Sequence, residues 1–188
     1  MYKLMFRVLV VILALNVSIL NYANNGDEGK HKYVGAKLCG MCHKTDAVGK
    51  QYSIWENSKH SQAFKALKTP DADKIASAKG FKTKAVDTPE CLKCHASGYN
   101  VDSSLLTDKY NVADGVQCET CHGPGSDYKS INIMKDKNLA VQNGLIMYDK
   151  PEQLCVKCHN EESPFFKGFD FKEMWPKIAH DIPKNKNK

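Results

Sequence analysis

Apolar positions along this chain fall into three kinds of stretch. The first is continuous: Val8 to Leu15 is an unbroken apolar run, and the apolar character carries on to Leu20 with Asn16 and Ser18 as interruptions. Lys3 and Arg7 stand before it. A basic start, a short apolar run and a polar continuation predict a secretory signal peptide over 1–23, with Ala23 the best small residue for cleavage. An uncleaved anchor is the alternative, because Asn21 occupies a position where cleavage wants a small residue. Asn24 to Lys32 is polar and reads as a flexible lead-in, His31 included. The second kind of stretch is periodic. Tyr52, Trp55, Ala63, Phe64 and Leu67 recur at helical spacing, which predicts a helix over 51–67 with His60 on the same side. Thr69-Pro70-Asp71 is an N-cap with proline at the first helical position, so a short helix should run to about Lys79. Brief helices are expected over 138–144, after Pro151, and after Asp170, with Pro176 kinking or restarting the last. The third kind has no period. Residues 96–114 read as a loop or loose hairpin, and Gly123-Pro124-Gly125 stops whatever precedes it. The pattern as a whole predicts a mainly α protein with long loops, as one small domain over 24–188.

The polar breaks between these stretches hold a repeat. Cys-X-X-Cys-His occurs at Cys39–Cys42–His43, Cys91–Cys94–His95, Cys118–Cys121–His122 and Cys155–Cys158–His159. These four copies, called motifs 1 to 4 below, use all eight cysteines and four of the seven histidines. Two thiols that form thioether bonds to a vinyl pair, followed at once by an imidazole for the iron, are what covalent haem c attachment requires. Two structural zinc sites or four disulfides would also use eight cysteines. Neither explains a histidine after every second cysteine. The expected cofactors are four covalently attached haem c groups, and the expected fold is organised around them. Some 165 residues with frequent Lys, Asp, Asn and Gly make a thin core, so the macrocycles should be the core.

Haem changes the reading of charge. The chain carries +6, and taking away Lys3 and Arg7 leaves +4. Eight propionates and four ferric cores bring the oxidised holoprotein to about 0, and the reduced one to about −4. The basic sequence is therefore no argument for nucleic acid. Its lysines offset propionates and colour a docking surface for redox partner proteins. Since haem is attached to such proteins outside the cytoplasmic membrane, motif and leader together place the protein in the periplasm or outside the cell. Membrane association is expected only if the leader stays on.

Four irons have eight axial positions. His43, His95, His122 and His159 take four, and only His31, His60 and His180 are left. At most three haems are then bis-histidine. His60 is the strongest distal candidate and His180, at the end of an aromatic tail, the next. His31 is evenly balanced between a ligand and an exposed side chain. Methionine is the other ligand cytochromes c use. Met41 is trapped inside motif 1, and Met134 leads Met147 and Met174 because it follows the loop after motif 3.

Taken together the motifs resemble the tetrahaem cytochromes of the cytochrome c-554 family, electron carriers paired with hydroxylamine oxidation. The resemblance rests on motif 1 followed by Trp55-X-X-Ser58-X-His60, and on His95 followed by Ser97-Gly98-Tyr99. It rests also on Gly115-Val116-X-Cys118-Glu119-X-Cys121-His122-Gly123-Pro124-Gly125, and on Phe169-X-Phe171-X-Glu173-Met174 leading to His180. It implies a mostly α fold with haems in close pairs. It implies His60 and His180 as distal ligands and a five-coordinate, high-spin haem on motif 2. One departure stands out. The family type has a histidine for the first haem shortly after the Gly-Pro-Gly turn, where this chain reads Ser126 to Met134 without one. The first haem must then find His31, Met134 or nothing. Three readings follow. The first is an exported electron-transfer protein without catalytic residues. The second is a reductase of a small ligand such as nitric oxide at an open haem. The third is a subunit of a haem filament, with His31 donated between copies.

Overall fold

The structure, a computed structural model, describes residues 31–180, 182 and 183. The leader expected over 1–23, most of the lead-in and the lysine-rich end lie outside the described residues.

The described residues form short helices and 3-10 turns in long connections. The longest helix, Pro70–Ala78, has nine residues. No strand forms among the described residues; the nearest approach is an isolated bridge between Tyr33 and Leu106. The mainly α expectation holds. None of these helices is long and apolar enough to cross a membrane.

Local chemistry explains where the helices start. The Thr69 hydroxyl accepts from Ala72 N–H with Pro70 at the first position, as the cap predicts. Asp136 caps Lys137–Gln142, and Asp170 accepts from Lys172 and Glu173 N–H at the head of Phe171–Met174. Pro176 then turns the chain into a 3-10 turn over Trp175–Lys177. The helix expected over 51–67 is two pieces, Gln51–Glu56 and Ala63–Ala66. Side chains break it. Ser58 Oγ donates to Trp55 carbonyl, and Ser61 Oγ donates to the carbonyls of Glu56 and Ser58. These bonds divert groups that a continuous helix would use. The break has a consequence for His60, whose carbonyl now accepts from Val116 N–H at 2.9 Å.

The lead-in also differs from expectation at its described end. His31 and Lys32 are packed, not loose: Lys32 N–H donates to Ser126 Oγ at 2.8 Å, and Ser126 N–H donates back to Lys32 carbonyl at 3.0 Å. The loop over 96–114 holds two 3-10 turns, Ser103–Leu105 and Val112–Asp114, rather than a hairpin.

The apolar core is small. The buried hydrophobics among the described residues are Val34, Ala36, Tyr52, Trp55, Leu67, Ala76, Ala85, Ala96, Tyr128 and Ala140, half of them alanine. They gather in two little clusters, one around Ala36, Tyr52 and Trp55, the other around Leu67, Ala76 and Ala85. Such a core supplies little of the area that a domain of this length buries. Meanwhile Ile131, Val141, Ile146, Met147, Val156 and Phe165 stand exposed. Polar groups tie the chain instead. Gln117 and Glu119, both buried, face the segment that leads into motif 1. Gln117 Oε1 accepts from Ala36 N–H at 2.9 Å. Glu119 accepts from Val34 N–H at 2.8 Å, Gly35 N–H at 2.8 Å and Gly125 N–H at 2.7 Å.

Candidate functional site

Each motif folds as a single turn or so of helix. Motif 1 ends the Ala36–Gly40 helix, motif 2 fills the Pro89–His95 helix, motif 3 is the Cys118–His122 helix, and motif 4 follows Glu152–Cys155. One turn with this spacing puts both cysteines and the histidine on neighbouring positions. All eight cysteines are free thiols. No group of three or more His, Cys, Asp or Glu suited to a metal ion forms among the described residues, so nothing there favours the zinc reading.

The motifs meet one another across long stretches of sequence. Cys39 of motif 1 and Cys118 of motif 3 lie close enough to shift one another, the Cys39 thiol upward and the Cys118 thiol downward. Cys158 of motif 4 donates to the Lys93 carbonyl inside motif 2 at 3.8 Å; burial first, then Cys94, lifts Cys158 to about 12. Burial first, then Cys155, pushes Cys121 up to about 11. Thiols held this high are poor thiolate nucleophiles.

The histidines also meet in pairs, across long stretches of sequence. The His60 and His159 rings lie 6.1 Å apart, and those of His122 and His180 5.9 Å apart. Two metal–imidazole bonds of about 2.0–2.1 Å each, plus the reach from nitrogen to ring centre, separate two imidazoles by about 6.3 Å. Both pairs are thus spaced for one metal ion between them. Burial lowers the pKa of His60, helped by His159; it lowers His122, helped by His180 and His43; and it lowers His159. Neutral imidazole is the form that binds metal. His122 Nδ1 is buried and makes no hydrogen bond among the described residues. Phe169 stacks on His159 at 4.8 Å and a 20° interplanar angle.

Two motif histidines are oriented through Nδ1. His95 Nδ1 lies 2.8 Å from the Ala63 carbonyl, and His43 Nδ1 lies 3.3 Å from Gln51 Oε1. A proton on Nδ1 leaves Nε2 as the donor to a metal. The free thiols of each motif and the buried imidazoles spaced for one ion fit covalent haem c.

A sequence-family description, "Cytochrome c554 and c-prime", matches residues 38–123, which span motifs 1 to 3. Cytochrome c-554 of Nitrosomonas europaea is 31% identical over 153 residues, covering 72% of this chain and 61% of that protein. The chain belongs to the cytochrome c-554 family. Membership makes it a c-type cytochrome, a class that holds haem c covalently. It spans about three fifths of the length of the curated relative it matches. No solved structure is matched.

Against this family background, the expected distal candidates are distributed as follows. His60 and His180 face the histidines of motifs 4 and 3. His31 is held by Asp127, its Nδ1 2.7 Å from Oδ2. Met134 closes the Ile131–Met134 helix, and Met41 is exposed. Sequence reasoning missed Asp127, Gln51 and the Ala63 carbonyl as partners of histidines, and it missed Glu119 as a clamp. The signal for Glu119 was a charged residue between the cysteines of a motif that ends in Gly-Pro-Gly. The others carry no local signal, because their partners are set by the tertiary fold.

Proposed function

We propose that this chain is an exported tetrahaem electron-transfer protein whose irons are not equivalent. Haem c, when bound, supplies a one-electron ferric/ferrous couple. The chain's part is to hold, space and cap the groups. Each cysteine thiol would attach to a vinyl group as a thioether, its proton passing to the neighbouring carbon, with no net oxidation. Cys39, Cys42, Cys91, Cys94, Cys118, Cys121, Cys155 and Cys158 are the eight attachment points, and His43, His95, His122 and His159 the proximal ligands. With haem c bound, His60 and His159 would hold one iron between them, and His180 and His122 another. The observation that carries the reading is the pair of separations, 6.1 and 5.9 Å, each joining a motif histidine to one outside the motifs. The contact of motif 1 with motif 3, and of motif 2 with motif 4, supports close-packed pairs that pass electrons without substrate. The leader read over 1–23 supports export to the periplasm or beyond, where donor and acceptor proteins meet the holoprotein.

Haem content by the pyridine haemochrome method, with electron paramagnetic resonance of the oxidised protein, tests this. The expected result is four haems per chain, low-spin signals for the His159 and His122 irons, and at least one iron that is not bis-histidine. Four bis-histidine signals would refute the ligand count.

The count of seven histidines for eight positions favours a second reading. A haem on motif 2 with an open position would let the protein reduce a small ligand such as nitric oxide. Carbon monoxide titration of the reduced protein decides. No spectral change with one equivalent per chain sinks the reductase reading.

A further inference from the structure

We infer that Asp127 positions His31 as the distal ligand of the haem on motif 1; this rests on the tetrahaem reading above. His31 is part-buried, and its Nδ1 meets Asp127 Oδ2 at 2.7 Å. The other carboxylate oxygen, Oδ1, accepts from Ser126 Oγ at 2.7 Å, so both oxygens are committed and the carboxylate is fixed. Backbone and side-chain bonds between Lys32 and Ser126 fix the two segments to each other. The imidazole therefore carries its proton on Nδ1 and directs the Nε2 lone pair away from the carboxylate. Carboxylate, imidazole and metal in that order is how metal-bound histidines are commonly held. Nε2 looks over Gly144, where a Cβ would sit 3.0 Å away; with φ +98° there, any other residue would be strained as well as crowding the ring. The Nε2 edge is thus kept clear of side chain on that side.

The assignment to motif 1 follows from the chain's path. His31 leads within five residues into the Ala36–Gly40 helix that begins motif 1. Glu119 and Gln117 bind that connecting segment to motif 3, and Cys39 meets Cys118. His31 therefore belongs to the motif 1 and motif 3 side of the molecule. On that side His122 already faces His180 at 5.9 Å. The motif histidine there still to be matched is His43. His95 is oriented at Nδ1 by the Ala63 carbonyl, and the segment that carries His31 runs into motif 1, not motif 2.

The test uses the oxidised and reduced holoprotein. His31→Ala should convert one low-spin iron to high-spin and raise carbon monoxide uptake from about one to about two per chain. His31→Met should keep that iron low-spin and shift its potential upward, since methionine ligation raises it. Asp127→Asn keeps a hydrogen-bonding side chain but removes the negative charge. It should shift the potential of the same haem upward and weaken His31 against added cyanide by about 10- to 100-fold. Asp127→Glu should restore most of that loss. A role in packing alone would leave the potential where it is. An oxidised spectrum and carbon monoxide count unchanged in His31→Ala, at four haems per chain, would overturn this inference and leave the tetrahaem reading standing. A wild-type haem count below four would bring down both. If His31→Ala fails to accumulate, Asp127→Asn decides: an unmoved potential overturns the inference.

Discussion

Glu119 should be the most costly single carboxylate to remove. It is buried, and it accepts three backbone N–H bonds, from Val34, Gly35 and Gly125. Glu119→Ala would leave all three donors in a buried place without a partner. Each unsatisfied donor costs about 1–3 kcal/mol, so the total is about 3–6 kcal/mol after some water enters. That is a large share of the ~5–15 kcal/mol that holds a domain together. Glu119→Gln is gentler. Its amide oxygen can still serve Val34 and Gly125, but its NH2 group then points at Gly35 N–H, for a loss of about 2–3 kcal/mol. At about 2–4 °C per kcal/mol, the alanine variant should melt ~10–20 °C below wild type and the glutamine variant ~5–10 °C below. The assay is thermal unfolding of the oxidised holoprotein followed by far-ultraviolet circular dichroism at fixed pH. The pH dependence sharpens it. Burial lifts the Glu119 pKa above its ordinary 4.5, against the pull of the three N–H donors. A folded value above the unfolded one means this group's titration supports the fold most below the unfolded pKa. That support fades as pH rises through the raised folded value. Glu119→Gln removes this slope, so the gap between wild type and Glu119→Gln should narrow as pH rises above 4.5. Melting of Glu119→Ala within ~2 °C of wild type would show that the clamp is not what joins residues 34–35 to motif 3.

Three other outcomes are expected. At Gly115, φ is +78° and a Cβ would sit 2.5 Å from the His60 carbonyl. Gly115→Ala should therefore cost about 2–4 kcal/mol and displace His60, read as a lower melting point together with loss of the low-spin signal of the His159 iron. Trp55 Nε1 donates to Val116 carbonyl at 2.7 Å, so Trp55→Phe should lower stability by about 1–2 kcal/mol in denaturant titration with the haem spectrum kept. The haem-free chain, made without the attachment machinery, should show little fixed helix by circular dichroism, because the described apolar core is two small clusters rich in alanine; a cooperative melt of that chain would contradict the idea that haem is the core.

What the sequence discloses and what it hides divide along one physical line. Groups whose chemistry is local could be read directly. The haem motif is legible because attachment needs two thiols and an imidazole at fixed spacing. The caps at Thr69 and Asp170 are legible because a side chain two or three residues away satisfies the first helical N–H groups. The continuous helix over 51–67 was not legible correctly. The apolar stripe is real, but Ser58 and Ser61 spend their hydroxyls on backbone carbonyls and open the chain at His60. Partners far apart in sequence had no signal. His31 and Asp127 are 96 residues apart, and Gly35 and Glu119 are 84 apart. Only folding brings such groups together, and no periodicity encodes them. His31 shows the cost: read by its charged neighbours it looked like part of a loose tail, while Ser126 and Asp127 hold it in place.

The meeting of motif 1 with motif 3, and of motif 2 with motif 4, makes the chain indivisible. The two partnerships interleave along the sequence, and the contacts of His60 with His159 and of His122 with His180 cross them again. A cut anywhere between His95 and Cys118 separates both partnerships, so no half of this protein is a smaller version of the whole. During synthesis, the first two motifs leave the ribosome without their neighbours. They must wait, exposed, for more than sixty residues of later chain. On the tetrahaem reading proposed above, a protein built this way would gain or lose its haems as a set.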